Sequence, residues 1–227
     1  MRVSRRVRER SSTRNLVLCA ALLGLLTSVP SVASCVQSLS TTGSGVSTTN
    51  VLYSPVSFDI DADGAAEVIG WTNPDTDDAF LWVDLNHNHQ VDDGGELFGD
   101  ASRLPNGEAV DNGFDALAVY GQGTYGGDGD GLITRGDLVW RYLRLWVDEN
   151  HDGVSQPSEI RTLEAGRIVA IELKHRKIDQ LDGAGNWHGF AGRYWREVSV
   201  PGAGEILQHF TVEDVYLRVK PESLSKK

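Results

Sequence analysis

Two copies of the tetrapeptide Leu-Trp-Val-Asp, at residues 81–84 and 145–148, each open a run in which oxygen-bearing side chains stand at alternate positions. Calcium takes six to eight oxygen ligands, and residues spaced by two along a tight loop can point their side chains into one concavity. Behind the second copy, every ligand position of an EF-hand loop is filled. Asp148, Asn150, Asp152, Val154, Gln156 and Glu159 stand at positions 1, 3, 5, 7, 9 and 12, with Gly153 at the turn. The sequence therefore predicts a calcium site in loop 4 (residues 148–159), although turns rich in Asp and Asn also form without a metal.

The first copy opens a similar loop with two departures, loop 2 (residues 84–96). Asp84, Asn86, Asn88, Gln90 and Asp92 stand at positions 1, 3, 5, 7 and 9. His89 replaces the turn glycine, and the closing acid, Glu96, falls at position 13 instead of 12. Histidine adopts a positive φ more readily than most residues other than glycine, so the turn can still form and we expect calcium here too. A second interpretation is that His87 and His89 bind zinc or copper, which imidazole suits.

Two further stretches contain part of the same pattern. Loop 1 (residues 59–70) places Asp59, Asp61, Asp63 and Glu67 at positions 1, 3, 5 and 9. Gly70 stands where the closing acid belongs, so we expect an outside ligand from Asp75, Asp77 or Asp78. Loop 3 (residues 126–137) places Asp128, Asp130, Leu132, Thr134 and Asp137 at positions 3, 5, 7, 9 and 12. Gly126 at position 1 has no side-chain oxygen, and we expect water to replace that ligand.

Short strands and helices must position these loops, so the sequence predicts an α+β fold. Apolar runs predict strands that lead directly into loops, and helical spacing predicts short helices between them. The predicted strands are residues 51–53, 56–60, 79–83 and 143–147, and the predicted helices are residues 113–120, 136–145 and 158–165. After Gly166, alternating segments joined by Gly-rich turns predict a C-terminal antiparallel β-meander. We expect one domain over residues 51–220, with the loops in 51–166 and the β-hairpins in 167–220.

The first 34 residues have the composition of a signal peptide. Six Arg precede an apolar run of 11 residues, Leu16–Leu26, which is too short to span a bilayer and suits secretion. We expect cleavage after Ala33, or lipidation of Cys35, because residues 32–35 also resemble a bacterial lipobox. The Ser/Thr/Gly-rich stretch that follows, residues 35–50, reads as a flexible tether. The protein is therefore expected to be secreted or held at the bacterial cell envelope, with a possible lipid anchor at Cys35.

Charge excludes one class of partner. The first 33 residues hold six of the chain's 21 basic residues and one of its 32 acidic residues, which leaves 15 basic and 31 acidic residues and a formal charge of −16. Of the acids, 22 lie between Asp59 and Glu159. Nucleic-acid phosphates need basic surfaces, so we expect no nucleic acid as a partner. Bound calcium ions would neutralise much of this field.

The order of these motifs resembles a known group of bacterial proteins. The stretches FDIDADGAAEVIGW, LWVDLNHNHQVDDGGELFGD, GDGDGLIT and LWVDENHDGVSQPSEI are similar to the calcium-binding EF-hand-like module of secreted RTX, or haemolysin-type, and FrpC-like proteins. The resemblance covers residues 51–219 and implies a secreted calcium-binding domain. Some members of that group cleave themselves at an Asp-Pro bond. Since this chain contains no Asp-Pro dipeptide, the resemblance does not extend to that activity.

The leading hypothesis is an exported, non-enzymatic protein whose fold is stabilised by calcium. A calcium-dependent adhesion or docking module is an alternative, whose protein or glycan partner the sequence does not identify. A hydrolase with a catalytic pair of carboxylates is a third hypothesis, disfavoured because nearly every clustered acid already belongs to a loop.

Overall fold

In the computed structural model of the protein, residues 32–40 and 45–221 are described, and strands dominate them. In chain order these residues form β1 (Val32–Leu39), β2 (Val56–Phe58), β3 (Glu67–Ile69), β4 (Ala79–Val83), α1 (Gly113–Tyr120), β5 (Leu132–Ile133), β6 (Leu143–Trp146), β7 (Ile160–Thr162), β8 (Ile168–Glu172), β9 (Arg176–Leu181), β10 (Trp187–Val200) and β11 (Gly204–Arg218). Two short 3₁₀ turns, Gly123–Tyr125 and Leu138–Arg141, complete the regular structure.

Nine of the strands form one antiparallel sheet in the order β5-β8-β10-β11-β1-β4-β6-β7, with β9 pairing to β10. The long hairpin of β10 and β11 is its centre, and the turn between them holds Gly202 and Gly204 at φ of +82° and +79°. Glycine adopts these conformations without steric strain. β2 and β3 form a separate two-stranded sheet.

The interior strand β4 is buried on both faces, and its residues separate two hydrophobic cores. Leu81 and Val83 belong to the core that α1 covers, where Phe114 and Leu117 are fully buried. Phe80 and Trp82 point to the opposite core, which β2 and β3 cover with Phe58 and Ile69 among others. Because successive side chains of a strand alternate between faces, the unbroken apolar sequence of β4 fits this position.

The predicted α+β class is wrong, because the fold is mainly β and the described residues contain a single α-helix. That helix, α1, has the predicted bounds, and the side chain of Asn112 caps it by accepting the Asp115 N–H at 2.9 Å. The other two predicted helices do not form. In the first, Leu138–Arg141 forms only a 3₁₀ turn and residues 143–146 form the predicted strand, paired with β4. In the second, residues 160–162 pair with β6, so sheet hydrogen bonds determine their conformation. Each loop of the repeated tetrapeptide is therefore entered from a strand.

The antiparallel strands predicted after Gly166 are confirmed, as β8, β10 and β11, with β9 as a further strand. The predicted strand at 51–53 is instead a turn. Among the aromatic residues of the C-terminal strands, Phe210 is buried, whereas Trp195 and Tyr216 are only partly buried.

β1 corrects the predicted tether over residues 35–50. Its residues 35–39 pair with β11, and its C-terminal end also pairs with β4. Most of the predicted signal peptide, residues 1–31, lies outside the described residues. The Cys35 side chain is 1% exposed, its N–H donates to Asp100 Oδ1 at 2.7 Å, and burial raises the pKa of its thiol. A lipid on this sulfur would require β1 to leave the sheet. In the described part of the chain, no helix is long and apolar enough to cross a membrane.

Candidate metal centre

Loop 4 is folded around its own acidic side chains. The N–H of Asp152, at position 5, donates to Asp148 Oδ1 at 3.3 Å and to Asn150 Oδ1 at 3.1 Å. The N–H of Gly153, at position 6, donates to Asp148 Oδ2 at 2.9 Å, and its φ is +72°. These bonds draw the side-chain oxygens of positions 1 and 3 to the inside of one turn.

Loop 2 repeats this hydrogen-bond scheme although its turn residue is not glycine. The N–H of Asn88 donates to Asp84 Oδ1 at 3.2 Å and to Asn86 Oδ1 at 3.0 Å, and the N–H of His89 donates to Asp84 Oδ2 at 3.1 Å. His89 has a φ of +63°, the left-handed conformation of Gly153 in loop 4. His87 has the same φ, so the two histidines are part of the turn geometry. Neither belongs to a group of three or more ligand side chains within the described residues.

The closing acids of loops 2 and 4 are equivalent in space although they differ by one position in sequence. In each loop the N–H groups of positions 2 and 9 donate to the two carboxylate oxygens of the closing glutamate, at 3.0 and 3.1 Å. In each loop, too, the residue before position 1 donates its N–H to the glutamate's carbonyl oxygen. The closing residues are Glu96 in loop 2 and Glu159 in loop 4. The extra residue of loop 2 thus lies between position 9, Asp92, and the closing acid, Glu96.

Loop 1 closes on one of its own residues. Glu67, at position 9, accepts the N–H of Ile60 at 3.2 Å, which is the bond that position 2 makes to the closing glutamate in the other loops. Ligand oxygens of Asp59, Asp61 and Glu67 all lie within 4.8 Å of one another. The expected outside ligand is therefore not needed to close the cluster. Asp78, one of the three candidates for it, instead accepts the Ser47 N–H at 2.8 Å.

Loop 3 has a reduced version of the scheme. Asp137 accepts the N–H groups of Asp128 and Thr134, at 3.3 and 2.7 Å, and the N–H of Leu132 donates to Asp130 Oδ1 at 2.8 Å. Gly126 has a φ of +82° and contributes no side chain at position 1. This loop lies next to β8 and contributes β5 to the main sheet.

Loop 2 contacts both loop 4 and loop 1 directly. The position-8 residues of loops 2 and 4 meet where the Val91 N–H donates to Ser155 Oγ at 2.7 Å. The Gly94 N–H of loop 2 donates to the carbonyl oxygen of Asp59 at 2.7 Å, which joins loop 2 to loop 1. The three loops therefore form one acidic unit at the edge of the Phe58–Trp71–Phe80–Trp146 aromatic cluster.

Two tryptophans of that cluster hold the acids of loop 4 in place. The Trp71 indole N–H donates to Asp148 Oδ2 at 2.8 Å, and the Trp146 indole N–H donates to Glu159 Oε2 at 3.3 Å. Trp82 is the equivalent of Trp146 in the repeated tetrapeptide, but its buried N–H has no hydrogen-bond partner. The repeat was a usable signal for Trp146, whereas nothing in the sequence indicated Trp71.

Burial raises the pKa of several carboxyls in these loops, and neighbouring acids add to the shift. The groups affected are Glu67, Glu96 and Asp148. Two carboxylates separated by 4.8 Å, the upper limit within the loop 1 cluster, repel each other by roughly 3–4 kcal/mol at an effective dielectric constant of about 20. A divalent cation among them would reverse the sign of that interaction.

The donor set fits calcium. The polar side chains at the predicted ligand positions offer oxygens of carboxylates, amides and, at Thr134, a hydroxyl, and hard cations prefer oxygen ligands. In loop 4 the Gln156 Oε1, at position 9, is buried and has no hydrogen-bond partner among the described residues. A buried acceptor without a donor costs free energy, so a cation at this place would satisfy it.

Two comparisons relate the chain to known proteins. The SPM domain family matches residues 38–202, which include all four loops. The iron-regulated protein FrpA of Neisseria meningitidis serogroup C is 34% identical over 163 residues, which cover 63% of this chain and 14% of that protein. The chain is thus similar to a small part of a much longer relative.

Proposed function

The chain belongs to the SPM domain family, and we propose that it is the calcium-binding domain of an exported bacterial protein and that calcium stabilises its fold. The observation that carries this proposal is the hydrogen-bond scheme shared by loops 2 and 4. In both loops the same backbone donors orient the carboxylates of positions 1 and 12 or 13 toward one centre. The two loops share this scheme although loop 2 has His89 in place of the turn glycine and one extra residue. This similarity indicates that both loops bind the same ligand.

Calcium would act on the three connected loops as a unit. Loop 1 contributes four carboxylates at its predicted ligand positions, and loops 2 and 4 contribute three each. Without cations these groups repel one another across short distances, so ion binding favours the folded state. A ligand that binds only the folded state at about 100 times its Kd stabilises it by roughly 2.7 kcal/mol. Sites with a Kd of about 10⁻⁴ to 10⁻³ M suffice for a protein outside the cell.

Export is proposed from the basic and apolar leader of the sequence. The role is proposed to be binding and not catalysis, since the closely grouped acids of loops 1, 2 and 4 are already engaged by backbone donors of their own loops. A general acid or base would need a carboxyl free to exchange its proton with a substrate.

A calcium titration by calorimetry tests the proposal, with loop 4 as the place to intervene. Glu159→Gln removes the closing carboxylate and should lower the affinity of that site by roughly tenfold or more. Glu149→Gln is the matched control, since Glu149 lies in the same loop, is exposed and pairs with Arg161 at 2.6 Å. It should leave the affinity unchanged.

Thermal unfolding gives a second measurement. The melting temperature should fall when EDTA replaces calcium, and the fall should be smaller for Glu159→Gln than for Glu149→Gln. Equal melting curves of the unmodified protein in EDTA and in millimolar calcium would refute the proposed role.

A further inference from the structure

Five basic side chains line a single concave surface on the strands that follow loop 4. They are Lys174, His175, Arg176, Arg193 and His209. The cavity has a volume of about 290 Å³, and its lining also includes Glu172 and Thr211. We call this surface the basic pocket. It lies on a chain whose formal net charge is −11.

The hairpin scaffold brings these residues together from separate strands. Arg193 of β10 is paired with Thr211 of β11, and Ala191 of β10 is paired with Arg176 of β9. His175 is held between two rings, stacked on Phe114 at 4.7 Å and against the edge of Phe190 at 5.3 Å. The walls of the pocket are therefore fixed by the sheet and by α1.

The pocket brings together Lys and Arg side chains that have no paired carboxylate, which among the described residues is also true of Arg141, Arg144, Arg196, Arg218 and Lys220. Elsewhere in the described residues, five Lys or Arg side chains pair with a carboxylate within 4.0 Å: Arg103, Arg135, Arg161, Arg167 and Lys177. Lys174, Arg176 and Arg193 make no such pair within the part of the chain that the structure describes. Grouped cations without counter-ions repel one another and concentrate positive potential in a concave surface.

We propose that the basic pocket binds a divalent tetrahedral oxyanion, namely phosphate or sulfate, either free or as the phosphate of a lipid headgroup. Two guanidinium groups can each donate two parallel hydrogen bonds to such an oxyanion, and an ammonium adds a compact charge. The volume accommodates one such group with a few waters, each of which takes up about 30 Å³. The Thr211 hydroxyl on the pocket wall is a further donor. This site does not depend on the proposed calcium sites.

Among the described residues that line the pocket, Glu172 has the one carboxylate. Removing its charge should change the anion affinity in the opposite direction from removing a cation. Its charge repels an anion, so Glu172→Gln should strengthen binding. Arg193→Gln and Arg176→Gln each remove a cation and should weaken binding by roughly tenfold. All three changes affect residues near or at the surface, so the fold should tolerate them.

Lys177→Gln is the matched control. Lys177 is next to Arg176 on β9, but its ammonium lies 3.4 Å from Asp179 and 6.0 Å from the centre of the Trp187 ring, outside the pocket. It should leave anion binding unchanged while altering the net charge as Arg176→Gln does. Thermal unfolding of each variant confirms that the fold is intact.

The experiment is a calorimetric titration of the full chain with sodium sulfate, against sodium chloride at equal ionic strength. Saturable binding of sulfate that Arg193→Gln weakens, Lys177→Gln preserves and Glu172→Gln strengthens would support the pocket. The free-ion part of the proposal would be overturned if sulfate gave the same heats as chloride. It would also be overturned if Arg176→Gln and Lys177→Gln lost the same amount of sulfate affinity.

Co-sedimentation with vesicles distinguishes the two sources of the oxyanion. Binding to phosphatidylcholine vesicles that contain phosphatidic acid, but not to phosphatidylcholine alone, would identify the headgroup phosphate, provided that Arg193→Gln weakens it and Lys177→Gln does not. Sulfate binding without vesicle binding would identify the free ion. Failure of both arms rejects the proposal.

Discussion

Trp71 and Asp148 are 77 positions apart in the chain, yet the indole N–H of the first donates to Oδ2 of the second at 2.8 Å. This bond joins the segment after loop 1 to the first ligand position of loop 4, inside the aromatic cluster that includes Trp146. Residues that orient a ligand without touching the metal affect affinity nearly as much as the ligands do.

Trp71→Phe should therefore lower the calcium affinity of loop 4. Phenylalanine keeps an aromatic ring at this position, but Asp148 loses the N–H donor that fixes its orientation. The expected loss of calcium affinity is roughly tenfold. Calorimetry measures it, with Trp195→Phe as the control, because Trp195 lies on the hairpin against His209. An affinity equal to that of the unmodified protein would show that the indole only fills space.

Gly94→Ala should destabilise the contact between loops 1 and 2. A Cβ at this position would lie 1.8 Å from the carbonyl oxygen of Ile60, so the backbone must move and the Gly94 N–H bond to Asp59 would be lost. We expect a loss of at least about 3 kcal/mol in the free energy of unfolding, measured by urea denaturation in calcium.

Gly183→Ala provides the comparison for that measurement. No heavy atom lies within 4 Å of its added Cβ, and Gly183 does not have a positive φ. Its unfolding free energy should stay within about 0.5 kcal/mol of the unmodified value. Similar losses in both glycine variants would contradict the steric explanation.

His188 links three segments through two carboxylates. Its Nδ1 lies 2.6 Å from Glu213 and its Nε2 lies 3.3 Å from Asp182. Burial lowers the pKa of His188, but the hydrogen bonds and charges of Asp182 and Glu213 outweigh burial and raise it to about 9. Burial likewise raises the pKa of Asp182, but the hydrogen bonds from His188 and Thr48 outweigh it and lower the pKa to about 2.

These shifts predict a stability maximum in mildly acidic solution. The contribution of His188 is complete below its unfolded pKa of about 6.5 and is lost as the pH rises through 9. The contribution of Asp182 is complete above 3.8 and is lost as the pH falls through 2. The unfolding free energy should thus decline between pH 6.5 and 9 by on the order of 1–3 kcal/mol. The decline should be smaller in His188→Gln, and denaturant titrations at fixed calcium measure both.

The thiol of Cys35 should resist alkylation in the native protein. It is buried, and its raised pKa keeps it protonated and unreactive at neutral pH. Iodoacetamide should modify it only after denaturant is added, as detected by mass spectrometry. Rapid modification of the native protein would show that β1 opens, and a thiol that stays unmodified in denaturant would indicate that the sulfur carries a lipid.

Local patterns predicted some elements closely. The helical spacing of residues 113–120 gave α1 its bounds, although the cap at Asn112 was not predicted, and the glycine turns gave the hairpin of β10 and β11. Residues 158–165 were assigned wrongly, because helical spacing there cannot reveal that Ile160 has a strand partner in Trp146. Residues 35–39 were assigned to a tether because the stretch to residue 50 is rich in Ser, Thr and Gly, and that composition gives no sign of the pairing with β11.

The alternate spacing of Asp, Asn and Glu by itself determined which side chains gather in each loop, because Asx side chains accept hydrogen bonds from backbone groups only a few residues away. The tertiary structure decided everything that joins distant parts of the chain. It placed Glu67 as the closing acid of loop 1, Trp71 beside Asp148, Ser155 against Val91, and unpaired cations in one pocket. Contacts of this kind depend on strand order and register, which a sequence of local preferences does not specify.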